Sequence, residues 1–466
     1  MVSLPIQAKT TPSPFPAYPA IKKNIAFWEK VYSVYSTSTA VVHDQNDLLK
    51  IYELVPISDY RIFGSSKKNK NVLKRTKRKY KKILLKLASG KKPVTRTEKK
   101  VARLYKKASR ARLRKAADAI RIQIGQKERF REGVIHSGQY MKAIKKIFVN
   151  NGLPADLAYL PHVESSFNLK AYSKHGAAGI WQFTRSTGKN YLRIDSVVDE
   201  RLNPIQASRA AALYLKKAHQ TLNSWPLAIT AYNYGPAGMK RAQKKYGDYQ
   251  KIFKHYKKGH FKFASRNFYS EFLAAVRVAK RLERKKSLKR DRPRATITLK
   301  LKGFISADDI CHHFKINTST LKRLNYSLLH PVLSGKKYIP KGFSLQLPAQ
   351  KKTKQLIASL PRSYYKSSQR RSRFYRVKRG DTLGKIARRH KVSLKELLAI
   401  NNLKKNAVIY SGRRMRIPAG HAGSRATVPI LITPTAKRKT NHRTQTTTGP
   451  QPPRTIRPEA GMKKKK

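Results

Sequence analysis

Between Ile120 and Arg284 the chain is cut into helix-length pieces by its own punctuation. Apolar residues recur there at the spacing of amphipathic helices, and each run meets residues that start or stop a helix. Asn150-Asn151-Gly152 is a C-cap signal, and Leu153-Pro154 opens the next helix, which carries Leu157, Leu160 and Val163. Asn203-Pro204 opens another through Leu222. Trp225-Pro226 starts a helix through Ala231-Tyr232-Asn233, and Gly235-Pro236 stops it. Phe268, Tyr269, Phe272, Leu273, Val276 and Ala279 form a last apolar stripe. Upstream, Ile25, Phe27, Trp28, Val31, Tyr32 and Tyr35 form the first. The region 21–290 is therefore expected to be all-α.

Residues 67–115 hold one acid, Glu98, among many lysines and arginines, yet Leu73, Tyr80, Leu84, Val101 and Tyr105 recur as a helical face would require. The whole chain of 466 residues carries 105 Lys and Arg against 23 Asp and Glu, a formal charge of +82. Such a field favours polyanionic partners without specifying a fold. A single cysteine, Cys311, excludes an intramolecular disulfide and a multi-thiolate zinc site. No apolar run of roughly 18 residues is present to span a membrane.

Past a charged linker at 284–294 the pattern changes, and a weak internal repeat follows. Leu321, Leu324 and Asn325 answer to Leu397, Ile400 and Asn401, and Ser334-Gly335-Lys336 to Ser411-Gly412-Arg413. Each copy closes on an alternating segment ending in proline and reads as strand, helix, helix, strand. The expected organisation is a flexible leader at 1–20, a basic helical region at 21–120 and a catalytic domain at 121–290. A first repeat at 295–348, a basic linker at 349–372, a second repeat at 373–418 and a disordered basic tail at 419–466 follow.

Glu164 lies among Leu157, Leu160, Val163 and Phe167. An apolar setting raises a carboxyl pKa and keeps the acid protonated, as protonation of a glycosidic oxygen requires. Asp156, Asp195, Asp199 and Glu200 are the nearby candidates for a second carboxylate, and none has a comparable setting. Gly176 and Gly179, with Ala177 and Ala178, allow close approach of a ligand. Gln182 and Asn233 can hydrogen-bond acetamido groups, while Trp181 and Tyr232 offer faces for sugars.

Glu164-Ser165-Ser166-Phe167-Asn168, Gly179-Ile180-Trp181-Gln182 and Ala231-Tyr232-Asn233, in this order, resemble the signature segments of the family 1 lytic transglycosylases. The resemblance implies a lysozyme-like (goose-type) α-fold. It also implies cleavage of the MurNAc–GlcNAc linkage of peptidoglycan without water, leaving a 1,6-anhydro sugar. Glu164 takes the place of the catalytic acid and then base. Ser173, Gly179, Gln182, Tyr232, Asn233 and Tyr269 take substrate-contacting places. The substrate's own acetamido or C6 hydroxyl would then stand in for a second carboxylate.

The second repeat, from Tyr375 through Gly380-Asp381-Thr382-Leu383 and Asn402 to Pro418, resembles a LysM module, which implies binding of GlcNAc-containing glycans. The first repeat is a degenerate version, with Ser306-Ala307-Asp308-Asp309 at the corresponding turn. No cofactor or metal is expected, since Cys311-His312-His313 lacks a fourth ligand at plausible spacing. The expected partners are peptidoglycan strands and an anionic cell-wall or membrane surface. Nucleic acid is disfavoured because no reading motif is recognisable. A monomer is expected, and the resemblance implies the periplasm or cell envelope with association to the membrane, although no signal-peptide pattern is visible. The rival reading is a non-catalytic polyanion-binding protein.

Overall fold

A computed structural model describes residues 13–370, 373–404 and 406–418, which form two compact units. The first holds the residues up to 183 together with 204–293. The second holds 184–203 together with the described residues from 294 to 418.

The first unit begins with α1 (Lys22–Ser33), whose Ile25, Phe27, Trp28, Val31 and Tyr32 are buried as the periodicity requires. Then the chain departs from the all-α expectation for 21–290. Strands β1 (Thr39–Asp44), β2 (Ile51–Pro56) and β3 (Ile120–Ile124) form an antiparallel sheet in the order β2-β1-β3. The cause is visible at β3: Ile120, Ile122 and Ile124 alternate with Arg121 and Gln123, a period of two that suits a pleated strand. The register pairs His43 of β1 with Arg121 of β3.

Between β2 and β3 lie α2 (Ser65–Ala88), α3 (Arg96–Leu104) and α4 (Arg110–Asp118). Leu73, Tyr80, Leu84, Val101 and Tyr105 bury against the sheet residues Ala40, Val42 and Tyr52, leaving the basic residues outward. Glu98 is spent on structure. It closes a capping box with Thr95 and accepts from Lys86 at 2.8 Å, contacts that hold its carboxyl down at about 2.

Helices α5 (Lys127–Ser137), α6 (Met141–Asn150) and α7 (Leu160–Ser165) follow. Gly152, at φ 71°, ends α6 where the C-cap signal stands. After α8 (Arg185–Lys189), which belongs to the second unit, the first unit resumes with α9 (Pro204–Leu222), α10 (Trp225–Tyr234), α11 (Pro236–Tyr246), α12 (Tyr249–His255) and α13 (Phe263–Glu283). Helix α13 packs on α1, α7 and α10 and supplies much of the core. Residues 13–20 are no loose leader: Phe15 is 8% exposed with its ring edge-on to Phe272 at 5.2 Å, and Tyr18 stacks on Tyr249. Residues 1–12 lie outside the described residues, as does the expected tail at 419–466.

In the second unit the two repeats are the same device. The first is β4 (Thr296–Lys300), α14 (Ala307–His313), α15 (Thr318–Leu324), the one-turn α16 (His330–Leu333) and β5 (Ser344–Pro348). After α17 (Thr353–Ala358) the second is β6 (Arg373–Arg376), α18 (Leu383–Arg389), α19 (Leu394–Asn401) and β7 (Arg414–Ile417). In each, an asparagine at the end of the second helix ties helix to closing strand. Asn325 donates to the carbonyls of Leu321 and Gln346 and accepts from the Gln346 amide. Asn401 does the same with Leu397 and Arg416. The expected linker at 349–372 is largely folded: Leu356, Ile357, Leu360 and Tyr365 pack on the first repeat, and Lys366 bridges to Phe304. An ion pair between buried Lys336 and half-buried Glu396 joins the repeats. Among the described residues no helix is long and apolar enough to cross a membrane.

Candidate active site

Glu164 sits one residue from the end of α7. The helix is stopped by Ser166 and Phe167, both left-handed at φ 48° and 57°. Phe167 turns inward and is buried beside His162, which also lies against Phe130 and Tyr159. Burial pulls His162 down to about 3, and neither ring nitrogen has a hydrogen-bond partner, so the imidazole beneath the helix is neutral packing.

The glycine segment is a knot of backbone bonds placed against α7. Ser165 Oγ donates to the Ile180 carbonyl at 3.0 Å. Ser173 and Ala177 exchange bonds: the Ser173 amide donates to the Ala177 carbonyl at 2.8 Å, and the Ala177 amide to Ser173 Oγ at 3.0 Å. Gly179 takes φ 74°, a backbone that a side chain would strain, and its carbonyl accepts from Gln182 Nε2 at 2.7 Å. Gln182 is itself left-handed at φ 49°.

Trp181 corrects an expectation. It is fully buried, stacked on Phe148 at 5.6 Å, with its indole N–H donated to Ser208 Oγ at 2.8 Å, so it offers no face to a sugar. Tyr232 donates its hydroxyl to the Trp181 carbonyl at 2.8 Å and lies parallel to Phe268 at 6.4 Å. Asn233 Oδ1 accepts from Ser265 at 2.7 Å. Tyr269 stands apart from this group: fully buried, it faces Tyr249 and donates to the Pro16 carbonyl at 3.0 Å.

The Glu164 charge acts on three neighbours. Burial raises the phenols of Tyr32 and Tyr232, and the Glu164 carboxylate raises both further. The third neighbour is Glu271 of α13, pushed up to about 8 by burial, drawn down by Arg121 of β3 and raised again by Glu164. The Arg121 guanidinium lies 3.8 Å from the Phe263 ring centre, and its Nε has no hydrogen-bond partner.

Of the carboxylates expected nearby, Asp156 pairs with Lys280 at 2.7 Å, Asp195 with Arg193 at 2.7 Å and Asp199 with Arg201 at 2.7 Å, while Glu200 accepts from the Arg193 amide. The acid whose charge is coupled to Glu164 is Glu271, which the sequence analysis does not single out. Its signal was present: it is a lone acid between Tyr269 and Phe272 on an apolar helix, the same setting that singled out Glu164. Tyr32 and Arg121 carry no such mark, because a sheet pairing and a helix crossing bring them in.

In the second repeat, Gly380 (φ 81°) opens the turn. Asp381 accepts from the Tyr375 hydroxyl at 2.7 Å and the Lys378 amide at 2.8 Å, contacts that hold its carboxyl below the usual range, the amide first. Thr382 caps α18, Leu383 is buried, and Asn402 (φ 54°) ends α19. In the first repeat Ser306 takes the capping place of Thr382, accepting from the Asp309 amide at 2.9 Å.

A family model described as the transglycosylase SLT domain matches residues 142–254, and one described as the LysM domain matches residues 375–418. The chain carries a transglycosylase SLT domain and a LysM domain. The SLT match contains Glu164, Ser173, Gly179, Gln182, Tyr232 and Asn233, whereas Tyr32, Arg121, Tyr269 and Glu271 lie outside it. Membrane-bound lytic murein transglycosylase D of Escherichia coli strain K12 is 28% identical over 300 residues, covering 61% of this chain and 65% of that protein. The protein of the same name in Escherichia coli O6:H1 matches to the same extent. The chain thus spans about 65% of the length of these curated relatives. A solved inactive mutant of lytic transglycosylase Slt from Pseudomonas aeruginosa shares 16% identity over 41% of this chain and 29% of that one. Its TM-score of 0.27 is too low for either fold or function to rest on it.

Proposed function

We propose that the protein is a lytic transglycosylase of the cell envelope that cleaves the MurNAc–GlcNAc β-1,4 linkage of peptidoglycan, with Glu164 as its single acid/base. The observation that carries this reading is the convergence on Glu164 of segments far apart in sequence. Ser165 is tied to Ile180, Trp181 to Tyr232, and the Glu164 charge raises the Tyr232 phenol.

The reaction balances without water. Glu164 gives its proton to the glycosidic oxygen as the C1–O bond breaks, and GlcNAc departs as the alcohol. The MurNAc acetamido oxygen takes C1 in the interim. The Glu164 carboxylate then removes the C6 hydroxyl proton while that oxygen closes on C1, giving the 1,6-anhydro ring and restoring the acid. Ser173, Gly179, Gln182, Tyr232 and Asn233 would line the bound strand. The LysM domain would hold the glycan nearby through Gly380, Asp381, Thr382, Leu383 and Asn402, raising its local concentration. The relatives' printed name, murein transglycosylase, supports this substrate.

Purified sacculi digested with the wild type and with Glu164→Gln test the reading. Soluble muropeptides ending in anhydro-MurNAc are expected from the wild type and not from the variant. Equal release by both, or reducing ends in mass spectra of the products, overturns it.

A further inference from the structure

Helix α13 and strand β3 each supply one charged side chain, Glu271 and Arg121, from outside the matched SLT domain. The helix packs on α7, which carries Glu164, and on α1 and α10, which carry Tyr32 and Tyr232. Arg121 arrives from the sheet, its guanidinium laid 3.8 Å over the ring centre of Phe263 in the first turn of α13. Asn24 of α1 donates to Asn267 at 2.7 Å, and Ser265 donates to Asn233, so the helix is fixed on both sides. Glu271 is half-buried one turn beyond Asn267. The charges coupled to Glu271 are those of Tyr32 on α1, Arg121 on β3 and Glu164 on α7. The Glu164 charge also acts on Tyr232, and His43 of β1 is the register partner of Arg121. Neither Arg121 nor Glu271 has an ion-pair partner of its own among the described residues.

We propose that Glu271 and Arg121 are positioning residues of this centre: Glu271 shares with Glu164 the proton that the reaction consumes and returns, and Arg121 sets how tightly the pair holds it. The inference rests on the reading of Glu164 as the acid. Two carboxyls that feel one another titrate as a pair, in two steps belonging to both. Once the pair holds one proton, the fraction of molecules with that proton on Glu164 is competent as acid. Those with it on Glu271 are competent as base. The pair therefore keeps an acid form in play up to its second step, near the value of about 8 at which burial and the Glu164 charge place Glu271. An uncharged side chain at position 271 abolishes that reserve. Loss of the Arg121 cation, which favours the ionised pair, extends it.

The test is the initial rate of muropeptide release from purified sacculi by the full chain, from about pH 5 to about pH 9.5. Glu271→Gln is expected to keep its rate at the acid end and to move the alkaline limb down by about one pH unit or more. Arg121→Met is expected to move the limb up, and Arg121→Lys, which keeps the cation, to leave it in place. Opposite shifts from two neighbours are not produced by a loss of packing, which lowers the rate at every pH without moving the limb. If Glu164→Gln is inactive and the limb stays put in Glu271→Gln and Arg121→Met, the inference is overturned and the function stands. If Glu164→Gln is as active as the wild type, the function fails and the inference with it.

Discussion

The hydroxyl of Tyr232 donates to the backbone carbonyl of Trp181 at 2.8 Å. The two are 51 positions apart along the chain, and this bond closes the gap between the glycine turn and helix α10. In sequence both aromatics suggest faces for sugars. One is a buried strut, and the other is anchored to it by its only hydroxyl.

Tyr232→Phe strands the Trp181 carbonyl. A buried acceptor left this way costs about 1–3 kcal/mol, and each kcal/mol lowers the melting temperature by roughly 2–4 °C in a fold of this size. A thermal melt should show that loss, together with reduced release of muropeptides. An unchanged melt would mean that the bond contributes nothing to holding the segments together.

Acid should destabilise the first unit before its carboxylates are titrated. His162 is held to about 3 and His43 to about 4 by burial, against 6.5 when unfolded. The unfolded chain therefore binds protons that the folded one refuses, so stability falls as pH drops from 6.5 towards those values. His162→Leu should flatten the slope of stability against pH by about one proton over this range. The measurement is denaturant unfolding at a series of pH values, and an identical slope in the variant counts against it.

Glu271 has the opposite sign. Its folded value of about 8 stands above the ordinary glutamate value of 4.5, so the folded state keeps a proton that the unfolded state releases. Stability is full below 4.5 and declines as pH rises towards 8. Glu271→Gln should melt higher than the wild type at about pH 8.5, the difference closing near about pH 5. Equal melts at the higher pH would place the carboxyl in water.

The matched asparagines of the two repeats offer an internal control. Asn325→Ala and Asn401→Ala each remove the side-chain bonds that tie the second helix to the closing strand, at a cost of roughly 0.5–1.5 kcal/mol per bond. Similar losses from both are expected in chemical unfolding of the second unit. If only one variant is affected, the shared geometry is not shared energetics.

Binding of the protein to sacculi should weaken as salt rises, because the lysine and arginine faces of α2 and α4 are exposed charges screened within about 10 Å at 0.1 M ionic strength. Pelleting assays across a salt series check this, and retention indifferent to salt removes the charge from the account.

What the residues made legible was whatever repeats at short range. The face of α1, the stop at Gly152, the Pro-led starts of α9 and α10 and the doubled strand-helix-helix-strand pattern all follow from local spacing. The misses are of the opposite kind. Ile120, Ile122 and Ile124 read as part of a helical run because five alternating residues carry little weight beside the 11 of α5 and the 10 of α6. Phe15 and Leu356 lie in proline-rich and basic stretches, and composition hid the apolar anchors within them. Glu164 was found through its neighbours in sequence, but Tyr32, Arg121 and Glu271 are neighbours only in space. Their partnership follows from how α1, β3 and α13 cross, which no window along the chain contains.

Residues 184–203 interrupt the SLT sequence, yet Val197 and Val198 are buried in one cluster with Leu301, Ile305, Leu328 and Ile339, and Val198 pairs with Leu328 as a bridge. Part of the interior of the first repeat is thus written in an earlier stretch of the gene. Such a repeat cannot be inherited as a cassette. A chimera that borrowed residues 294 onwards would import a core lacking two of its valines, and a recombination event would have to carry both stretches together to leave a folded descendant.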